Sequence, residues 1–309
     1  MTGDISGAGA PGGAAPEPRR PGAPRPRRPG AAGLRRPGAA QARRRAATRA
    51  GLGAALAAAG LAVAQAGPGV TALRPVRLAL FPRLAGRGAA DHVALTFDDG
   101  PDPAATPHFI KALADRRLRA TFFMLGSMAD RSVSLAAEVA AAGHEIGVHG
   151  YDHRYLPLRG PRSTYDDLAR ARDAIAAATG SEPGLFRPPY GVLSTSALIS
   201  ARRLGLTPVL WTAWGREWTA GATAGSVYAT LAADLAGGGT VLLHDSDCTS
   251  PAGSWRAGLG ALPMLLDECA RRGLRVGPLG EHGLASPLAA GSAPAGAAAA
   301  PDPRQAAAH

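Results

Sequence analysis

Two adjacent carboxylates at the end of an apolar run are the first residues of the sequence whose spacing suits chemistry. Asp98 and Asp99 follow the apolar residues 93–97 and precede Gly100-Pro101, which ends a strand and starts a turn. Neighbouring residues of a strand point to opposite faces, so one carboxylate can bind a cation while the other accepts a proton. The alternative is an Asx-turn, in which one of the two side chains caps the backbone.

Two histidines four residues apart form a second candidate group. His149 and His153 would lie on one face of a helical turn, with about 5–6 Å between their Cβ atoms. That spacing lets both imidazoles bind one metal ion, and Asp99 completes a His-His-Asp set that leaves positions for water and substrate. A solvated pair of histidines has the same spacing and is the alternative.

An arginine and another histidine also stand at the ends of apolar runs. Arg187 precedes Pro188-Pro189, which keep its backbone extended, and its guanidinium can orient a carboxylate such as Asp98. The alternative is a rigid loop with a surface arginine. His244 suits a general acid whose pKa is adjusted by its surroundings, and a half-buried structural histidine is the alternative.

Three of the four tryptophans of the chain fall within eight residues. Trp211, Trp214 and Trp218 lie at the end of a further apolar run. Flat apolar side chains of this kind line sugar-binding grooves, and they also form the cores of domains. The sequence leaves both interpretations open.

Parallel strands must position these groups, because each group stands at or just after the end of a short apolar run. Apolar runs and amphipathic stretches alternate seven times, which is typical of a parallel sheet, open or closed into a barrel. Such folds keep their chemistry at the carboxyl ends of the strands. The predicted strands cover residues 92–97, 119–125, 145–148, 184–187, 206–211, 240–244 and 274–277. The predicted helices cover residues 103–117, 132–142, 163–179, 194–204, 223–236 and 256–272.

In this order, the motifs resemble those of the polysaccharide deacetylases with a NodB-homology domain, carbohydrate esterase family 4. The resemblance covers about residues 91–280. It is carried by Thr96-Phe97-Asp98-Asp99-Gly100-Pro101, by His149 with His153, by Arg187-Pro188-Pro189-Tyr190, by Trp218 after an acid, and by Leu242-x-His244. It implies an α/β fold, a distorted (β/α) barrel of about seven strands, with one divalent metal ion, usually Zn²⁺. It also implies hydrolysis of acetyl groups on a polysaccharide such as peptidoglycan or a chitin-like glycan.

The resemblance implies a role for each of these residues. The metal ligands would be Asp99, His149 and His153, the catalytic set would be Asp98, Arg187, Glu217 and His244, and Tyr190, Trp214 and Trp218 would face the substrate. Asp98 would take a proton from the attacking water while Arg187 keeps it ionised. His244 would protonate the departing amine or alcohol, and the backbone N–H of Tyr190 would stabilise the oxyanion.

Two motifs depart from the pattern of the family. Gly150 stands where Ser or Thr usually follows the first metal-binding histidine, and Trp214 and Glu217 stand where the fourth motif usually has two Asp. Glu217 keeps a carboxylate beside Trp218, with one extra methylene group. The alternatives are therefore a glycan-binding module on the same fold that has lost turnover, and a deacetylase of a smaller or O-acetylated substrate.

Charge and composition divide the chain into segments. Residues 1–50 hold eleven arginines and two acids, and so carry +9 of the net charge of +11. They are rich in Pro, Gly and Ala, which predicts disorder. Because no aromatic residue interrupts them, we expect no nucleic-acid partner, although a basic tail acting at anionic lipid or nucleic acid is the remaining alternative. The predicted organisation is a tail over 1–50, an uncharged segment over 51–73, a linker over 74–90, the catalytic domain over 91–280 and a disordered Ala/Pro-rich tail over 281–309.

The uncharged segment 51–73 is a candidate membrane anchor. It follows Arg43, Arg44, Arg45 and Arg49, and a basic flank before an uncharged stretch is typical of a signal-anchor with its N-terminus inside. The catalytic domain would then lie outside the cytoplasm, anchored or, after signal-peptide cleavage, secreted. The segment consists mostly of Ala and Gly, and a surface helix packed on the domain is the alternative.

The two cysteines are Cys248 and Cys269. Neither belongs to a C-x-x-C pair, which argues against a structural zinc knuckle. An oxidising compartment would permit one disulfide between them, and the sequence leaves open whether they pair.

Overall fold

The structure, a computed structural model, describes residues 37–283. The predictions for residues 1–36 and 284–309 lie outside the described residues. Contacts between Cα atoms divide the chain at Ala54, so that residues 37–54 and 55–283 are described separately. Residues 37–54 belong to one helix, and residues 55–283 contain all the strands.

A parallel sheet organises residues 55–283. In chain order its strands are β1 His92–Asp98, β2 Thr121–Met124, β3 Glu145–Val148, β4 Leu185–Phe186, β5 Thr207–Pro208, β6 Ala213–Trp214, β7 Thr240–His244 and β8 Arg275–Gly277. Seven of them follow one path in the order β5-β4-β3-β2-β1-β7-β6, and β8 pairs with the first half of β1. The two end strands of this path are neighbours in the chain, so the sheet curls round. This confirms the predicted α/β fold and distorted barrel.

The helices follow the strands as the alternating pattern predicts. They are α1 Pro37–Ala66, α2 Arg74–Leu80, α3 Thr106–Asp115, α4 Gly126–Arg131, α5 Val133–Ala141, α6 Pro161–Thr179, α7 Thr195–Arg203, α8 Ala224–Asp234 and α9 Trp255–Arg271. The glycines at the predicted helix ends, Gly143, Gly180, Gly205 and Gly273, all have positive φ. A left-handed residue ends a helix most easily when it is glycine, since glycine has no Cβ to clash.

Strand β1 lies at the centre of the core. All seven of its residues are buried, and the Phe97 ring packs 5.0 Å from that of Phe109 and 4.9 Å from that of Phe122. Burying an aromatic side chain of this size stabilises the fold by about 1.5–3 kcal/mol. The register places Asp98 directly opposite His244 of β7. The packing of β1 therefore fixes the position of the two adjacent carboxylates.

The N-terminal segments contain more regular structure than their composition predicts. Residues 37–50, predicted to be disordered, are helical as part of α1, because Ala, Gln and Arg are strong helix formers. The predicted linker 74–90 contains α2, and Arg77 on that helix is only 4% exposed. Residues 74–80 are therefore part of the folded domain.

The C-terminal boundary also lies beyond the predicted residue 280. A 3₁₀ turn covers Leu279–Glu281, and the buried His282 follows it. The Nδ1 atom of His282 lies 2.8 Å from Nδ1 of His92 at the start of β1. This hydrogen bond between two buried imidazoles attaches the residues up to 283 to the start of β1. These residues therefore close the amino-terminal end of the barrel.

One helical stretch among the described residues is long and apolar enough to cross a membrane. It covers Gln41–Ala72, has a mean hydropathy of 1.5, and buries none of its most apolar window. A signal sequence would pass the same test of length and composition.

Candidate active site

The carboxyl ends of four parallel strands bring the candidate residues together. Asp98 ends β1 and Asp99 follows it, while His149 comes directly after β3. Arg187 follows β4, and His244 ends β7. Parallel neighbours end at the same edge of a sheet, so residues 146 positions apart in the sequence become neighbours in space.

Asp99, His149 and His153 form a group able to hold a metal ion. Their ligand atoms all lie within 4.8 Å of one another. The Oδ1 atom of Asp99 is 3.3 Å from Nε2 of His149 and 3.4 Å from Nε2 of His153. That oxygen is buried and accepts no hydrogen bond. A buried, unpartnered carboxylate oxygen facing two imidazole nitrogens fits a divalent cation, and two His with one Asp are ligands that zinc accepts.

Neighbouring groups orient these three side chains. The Nδ1 atom of His149 lies 2.8 Å from the carbonyl oxygen of Arg187, and an N–H there leaves Nε2 with its lone pair toward Asp99. The hydroxyl of Thr249 donates to the other oxygen of Asp99 at 2.8 Å. Asp99 and His153 have φ values of 80° and 55°, which non-glycine residues rarely adopt. Such conformations are typical of functional sites.

Electrostatics favour the metal-binding forms of these groups. Burial, together with the charge of the neighbouring His149, lowers the pKa of His153 to about 4, so its imidazole is neutral near pH 7. Burial alone would raise the pKa of Asp99, but the electrostatic interaction with the neighbouring imidazoles, that of His149 foremost, holds that pKa well below its usual range. A neutral imidazole and an ionised carboxylate are the forms that bind metal.

Arg187 and Asp98 form a buried ion pair beside the candidate metal ligands. The Nη1 atom of Arg187 donates to Oδ1 of Asp98 at 2.7 Å and to the hydroxyl of Thr96 at 2.8 Å. Both side chains of the ion pair are at least 98% buried. The other oxygen of Asp98 lies 3.7 Å from Nε2 of His149. The arginine therefore fixes the position of the Asp98 carboxylate and directs its second oxygen toward the group of histidines.

His244 and Glu217 form a second charged pair. The Oε1 atom of Glu217 accepts from the backbone N–H of His244 at 2.6 Å and lies 2.9 Å from its Nδ1. Burial alone would lower the pKa of His244, but the carboxylate of Glu217, with smaller contributions from Asp99 and Asp98, raises it to about 9. His244 is therefore an imidazolium at neutral pH, as a general acid must be. Glu217 is only 1% exposed and provides the carboxylate at this position.

The aromatic residues line a cleft of about 360 Å³ that opens onto these pairs. Tyr190 is 57% exposed, and its ring lies 4.5 Å from that of His153. Trp218 is 39% exposed, and Trp214 packs between it and the buried Trp211. The cluster is therefore both a groove lining and a local core, which the sequence could not distinguish.

The departure at Gly150 from the family pattern has a local structural reason. Gly150 has a φ of +88°, a conformation that residues with a side chain rarely adopt. A Cβ there would lie 3.3 Å from an oxygen of Asp167. The ring nitrogen of Trp214 is buried and makes no hydrogen bond.

Sequence reasoning missed two polar residues of this region. Thr249 lies in the loop after β7, and no spacing in the sequence links it to Asp99. Asp245 is 1% exposed and accepts from the hydroxyl of Thr106 at 2.6 Å. Burial, with a further contribution from Asp99, raises the pKa of Asp245 to about 7. The position of Asp245 directly after His244 was the only signal for it.

Cys248 and Cys269, which the sequence left open, are both free thiols in the structure. Cys248 is exposed in the loop after β7, and Cys269 is buried on α9. The sulfur of Cys248 lies 3.8 Å from the carbonyl oxygen of Asp99, near the candidate ligands.

Comparison with known proteins identifies similar chains. The family model of polysaccharide deacetylases matches residues 85–209. A chitooligosaccharide deacetylase from Bradyrhizobium sp. is 34% identical over 195 residues, which are 60% of this chain and 88% of that protein. The peptidoglycan-N-acetylglucosamine deacetylase PgdA from Listeria monocytogenes is 32% identical over 160 residues, 52% of this chain. That match spans only 34% of PgdA, about a third of its length.

A similar fold occurs in a solved structure. The Bc1960 peptidoglycan N-acetylglucosamine deacetylase, crystallised with a hydroxamate-bearing naphthyl benzamide, superimposes with a TM-score of 0.62 at 26% identity. The match covers 68% of this chain and 97% of that one. The shared part therefore amounts to nearly the whole of the Bc1960 chain.

Proposed function

This chain belongs to the polysaccharide deacetylase family, and from that premise we propose that it is a metal-dependent hydrolase of acetylated glycans. The proposed substrate is an N-acetylated polysaccharide such as peptidoglycan or a chitin-like glycan, because the relatives are named for these substrates. The observation that carries the proposal is a single cleft onto which the Asp99–His149–His153 group and both charged pairs open. Metal site, base and acid are then within reach of one bound acetyl group.

Asp99, His149 and His153 would hold the metal ion, for which zinc is our first choice. Bound there, a divalent cation supplies a Lewis acid that polarises the acetyl carbonyl and makes water more acidic. Asp98 accepts the proton of the attacking water, since its ion pair with Arg187 orients its carboxylate toward the metal ligands. Arg187 does not move in this step, because its guanidinium also donates to two backbone carbonyl groups.

His244 delivers the second proton. Its imidazolium, stabilised by Glu217, donates to the nitrogen of the departing amine as the carbon–nitrogen bond breaks. The products are acetate and a free amino sugar. The backbone N–H of Tyr190 is the proposed donor to the developing oxyanion. Trp214 and Trp218 would stack on the sugar rings, which aromatic side chains contact through their apolar faces.

We also propose that the enzyme is anchored in a membrane and acts outside the cytoplasm, where polymeric glycan lies. The stretch Gln41–Ala72 has the length and hydropathy of a membrane span. At its end and directly after it, Val70, Leu73, Leu80 and Phe81 expose apolar side chains to solvent, as a surface that rests on a bilayer would. Gln65 supports retention of the segment over cleavage, because its side chain bonds the folded domain at Arg159 and Ser196.

Acetate release from a panel of substrates tests the proposed function. The zinc-loaded chain is incubated with N-acetylglucosamine oligomers, peptidoglycan and an O-acetylated xylan, and with the Asp98→Asn variant as the matched control. We expect acetate from at least one N-acetylated substrate, and a loss of roughly 10²–10⁴-fold in the variant, the usual contribution of a general base. Binding without release by the wild-type chain would show a glycan-binding module instead.

A further inference from the structure

Three arginines hold one short segment of the cleft wall. Residues 209–212 join β5 to β6, and their four consecutive carbonyl oxygens all accept from arginine side chains. Arg187 donates to the first two, at 3.3 and 2.9 Å. Arg77 donates to the third at 3.1 Å, and Arg74 to the fourth at 3.1 Å. Two of the three arginines thus come from α2, outside the residues that match the family model.

Arg77 is buried in a way that needs an explanation. It is 4% exposed, and its guanidinium donates to the carbonyl oxygens of Trp211 and Ala72. Among residues 37–283, no carboxylate forms an ion pair with it. Burying a charge is costly unless it is well paired. Retaining an arginine here is therefore better explained by the geometry that it imposes on its neighbours.

Arg77 contacts Trp211 through both the backbone and the ring of that residue. The guanidinium of Arg77 lies 5.2 Å from the centre of the Trp211 ring, and that of Arg187 lies 5.7 Å from it. The same ring packs so tightly on Gly191 that a Cβ there would approach it to 2.4 Å. Its edge also contacts Trp214, with 5.3 Å between the ring centroids. Trp211 therefore connects α2 to the loop of Tyr190 and to the exposed tryptophans.

We propose that Arg77 is a positioning residue for glycan binding, which holds Trp211 and through it the aromatic wall of the cleft. The inference rests on the proposed function, since it assigns this wall to the sugar. Arg77 acts through two contacts at once, a hydrogen bond to the backbone of Trp211 and a cation–π contact with its ring. The segment next to the candidate membrane span thereby forms part of the substrate site.

The proposal predicts an effect on substrate affinity more than on turnover. The candidate metal ligands and Asp98 stand at the end of β1 and after β3, and the side-chain hydrogen bonds of Arg77 go to Trp211 and Ala72 instead. Arg187 keeps its own bonds to Asp98 and to the first two carbonyl groups when Arg77 is changed. Loss of Arg77 should therefore raise KM and leave kcat within a few-fold of wild type.

The experiment compares Arg77→Met with Arg87→Met, which removes an exposed arginine from the same part of the chain. Both are measured as zinc-loaded full-length chains with N-acetylglucosamine pentamer. We expect R77M to raise KM by at least about tenfold, the equivalent of one lost hydrogen bond to a charged group, and R87M to match wild type. Quenching of tryptophan fluorescence by acrylamide should also increase in R77M, and this readout needs no substrate.

Unchanged KM and unchanged acrylamide quenching in a folded R77M variant would overturn the proposal. So would a fall in kcat at constant KM, which is the result of a general loss of active protein.

If R77M does not fold, Arg77→Lys serves as the second variant, because it keeps the charge and loses the planar fork. The KM of R77K should then lie between the wild-type value and ten times that value. A KM equal to that of wild type would contradict the proposal. Absence of acetate release by the wild-type chain would instead count against the proposed function, and the quenching comparison would still decide the role of Arg77.

Discussion

At the scale of single residues, the proposed general acid is His244, paired with Glu217. The carboxylate keeps the pKa of His244 at about 9 in spite of burial, which acts in the opposite direction. A group whose pKa is raised by folding stabilises the fold below its unfolded pKa of about 6.5, and this stabilisation is lost as the pH rises through about 9. Activity that depends on the imidazolium is lost over the same alkaline range.

We expect Glu217→Gln to move the alkaline limit of kcat toward neutral pH. Without the carboxylate, burial is no longer offset and the pKa of His244 falls. The alkaline limb of the pH profile of kcat should shift by at least about one pH unit, which corresponds to about 1.4 kcal/mol of lost interaction between His244 and the carboxylate. The measurement is the pH dependence of kcat for acetate release between pH 6 and 10.

Glu217→Asp is the matched control, because it keeps the charge and restores the acid that this family usually has. Its alkaline limb should stay closer to that of wild type than the limb of Glu217→Gln. An alkaline limb at the wild-type position in Glu217→Gln would contradict the assignment of His244 as the general acid.

The residues that sequence reasoning located share one property, which is local spacing. The adjacent acids at 98 and 99 and the four-residue interval from His149 to His153 are visible without any tertiary information. Thr249 and Arg77 reach the site only through folding, from 150 residues after Asp99 and 134 residues before Trp211. No periodicity or spacing rule connects residues at such distances. The resemblance to a family also could not identify Arg77, since its motifs begin after α2.

At the scale of elements, the alternation of apolar runs located seven of the eight strands, and β6 was missed. β1, β3 and β7 lie almost where the sequence predicts them. β6 has only two residues and follows the run predicted to end at residue 211, which contains β5. Pairing with β7 defines β6, and the sequence does not show that pairing. α2 was missed for a different reason: its apolar residues are mostly exposed.

We expect the first 54 residues to be dispensable for activity, and residues 55–81 to be required for full affinity for the substrate. A chain that begins at residue 55 retains Gln65 and Arg77, and should bind one metal ion and keep its KM for soluble oligomers. A chain that begins at residue 82 loses both contacts and should show a raised KM. Steady-state acetate release, with circular dichroism to verify folding, provides the comparison.

Equal KM values for the two shortened chains would show that α2 contributes nothing to substrate binding. A loss of turnover in the longer, folded chain would show instead that residues 1–54 take part in the chemistry. Gln65→Ala in the full chain separates the contact of that side chain with Arg159 from the rest of the segment.

At the scale of the whole molecule, charge and hydropathy are distributed unevenly. Residues 1–50 carry +9 of the net charge of +11, and the apolar stretch Gln41–Ala72 precedes the barrel in the chain. Because basic residues stay on the cytoplasmic side of a membrane, the proposed anchor would leave the barrel outside. Such a location suits an enzyme whose substrate is a polymer of the cell envelope.

We expect the full chain to sediment with membranes and its barrel to be cleaved by protease added to intact cells. A chain that lacks residues 1–66 should remain in the soluble fraction, which makes it the control. Complete protection of the barrel until the cells are lysed would rule out the outward-facing anchor.

Reconstitution with zinc is the most direct test of the central claim, that this chain is a metal-dependent deacetylase using Asp99, His149 and His153. The chain is first stripped with a chelator, and acetate release from N-acetylglucosamine pentamer is then followed as zinc is added. We predict no release from the stripped chain, a rise up to one equivalent of zinc per chain, and no recovery in His153→Ala. Full acetate release from the stripped chain, or equal recovery in His153→Ala, would contradict it.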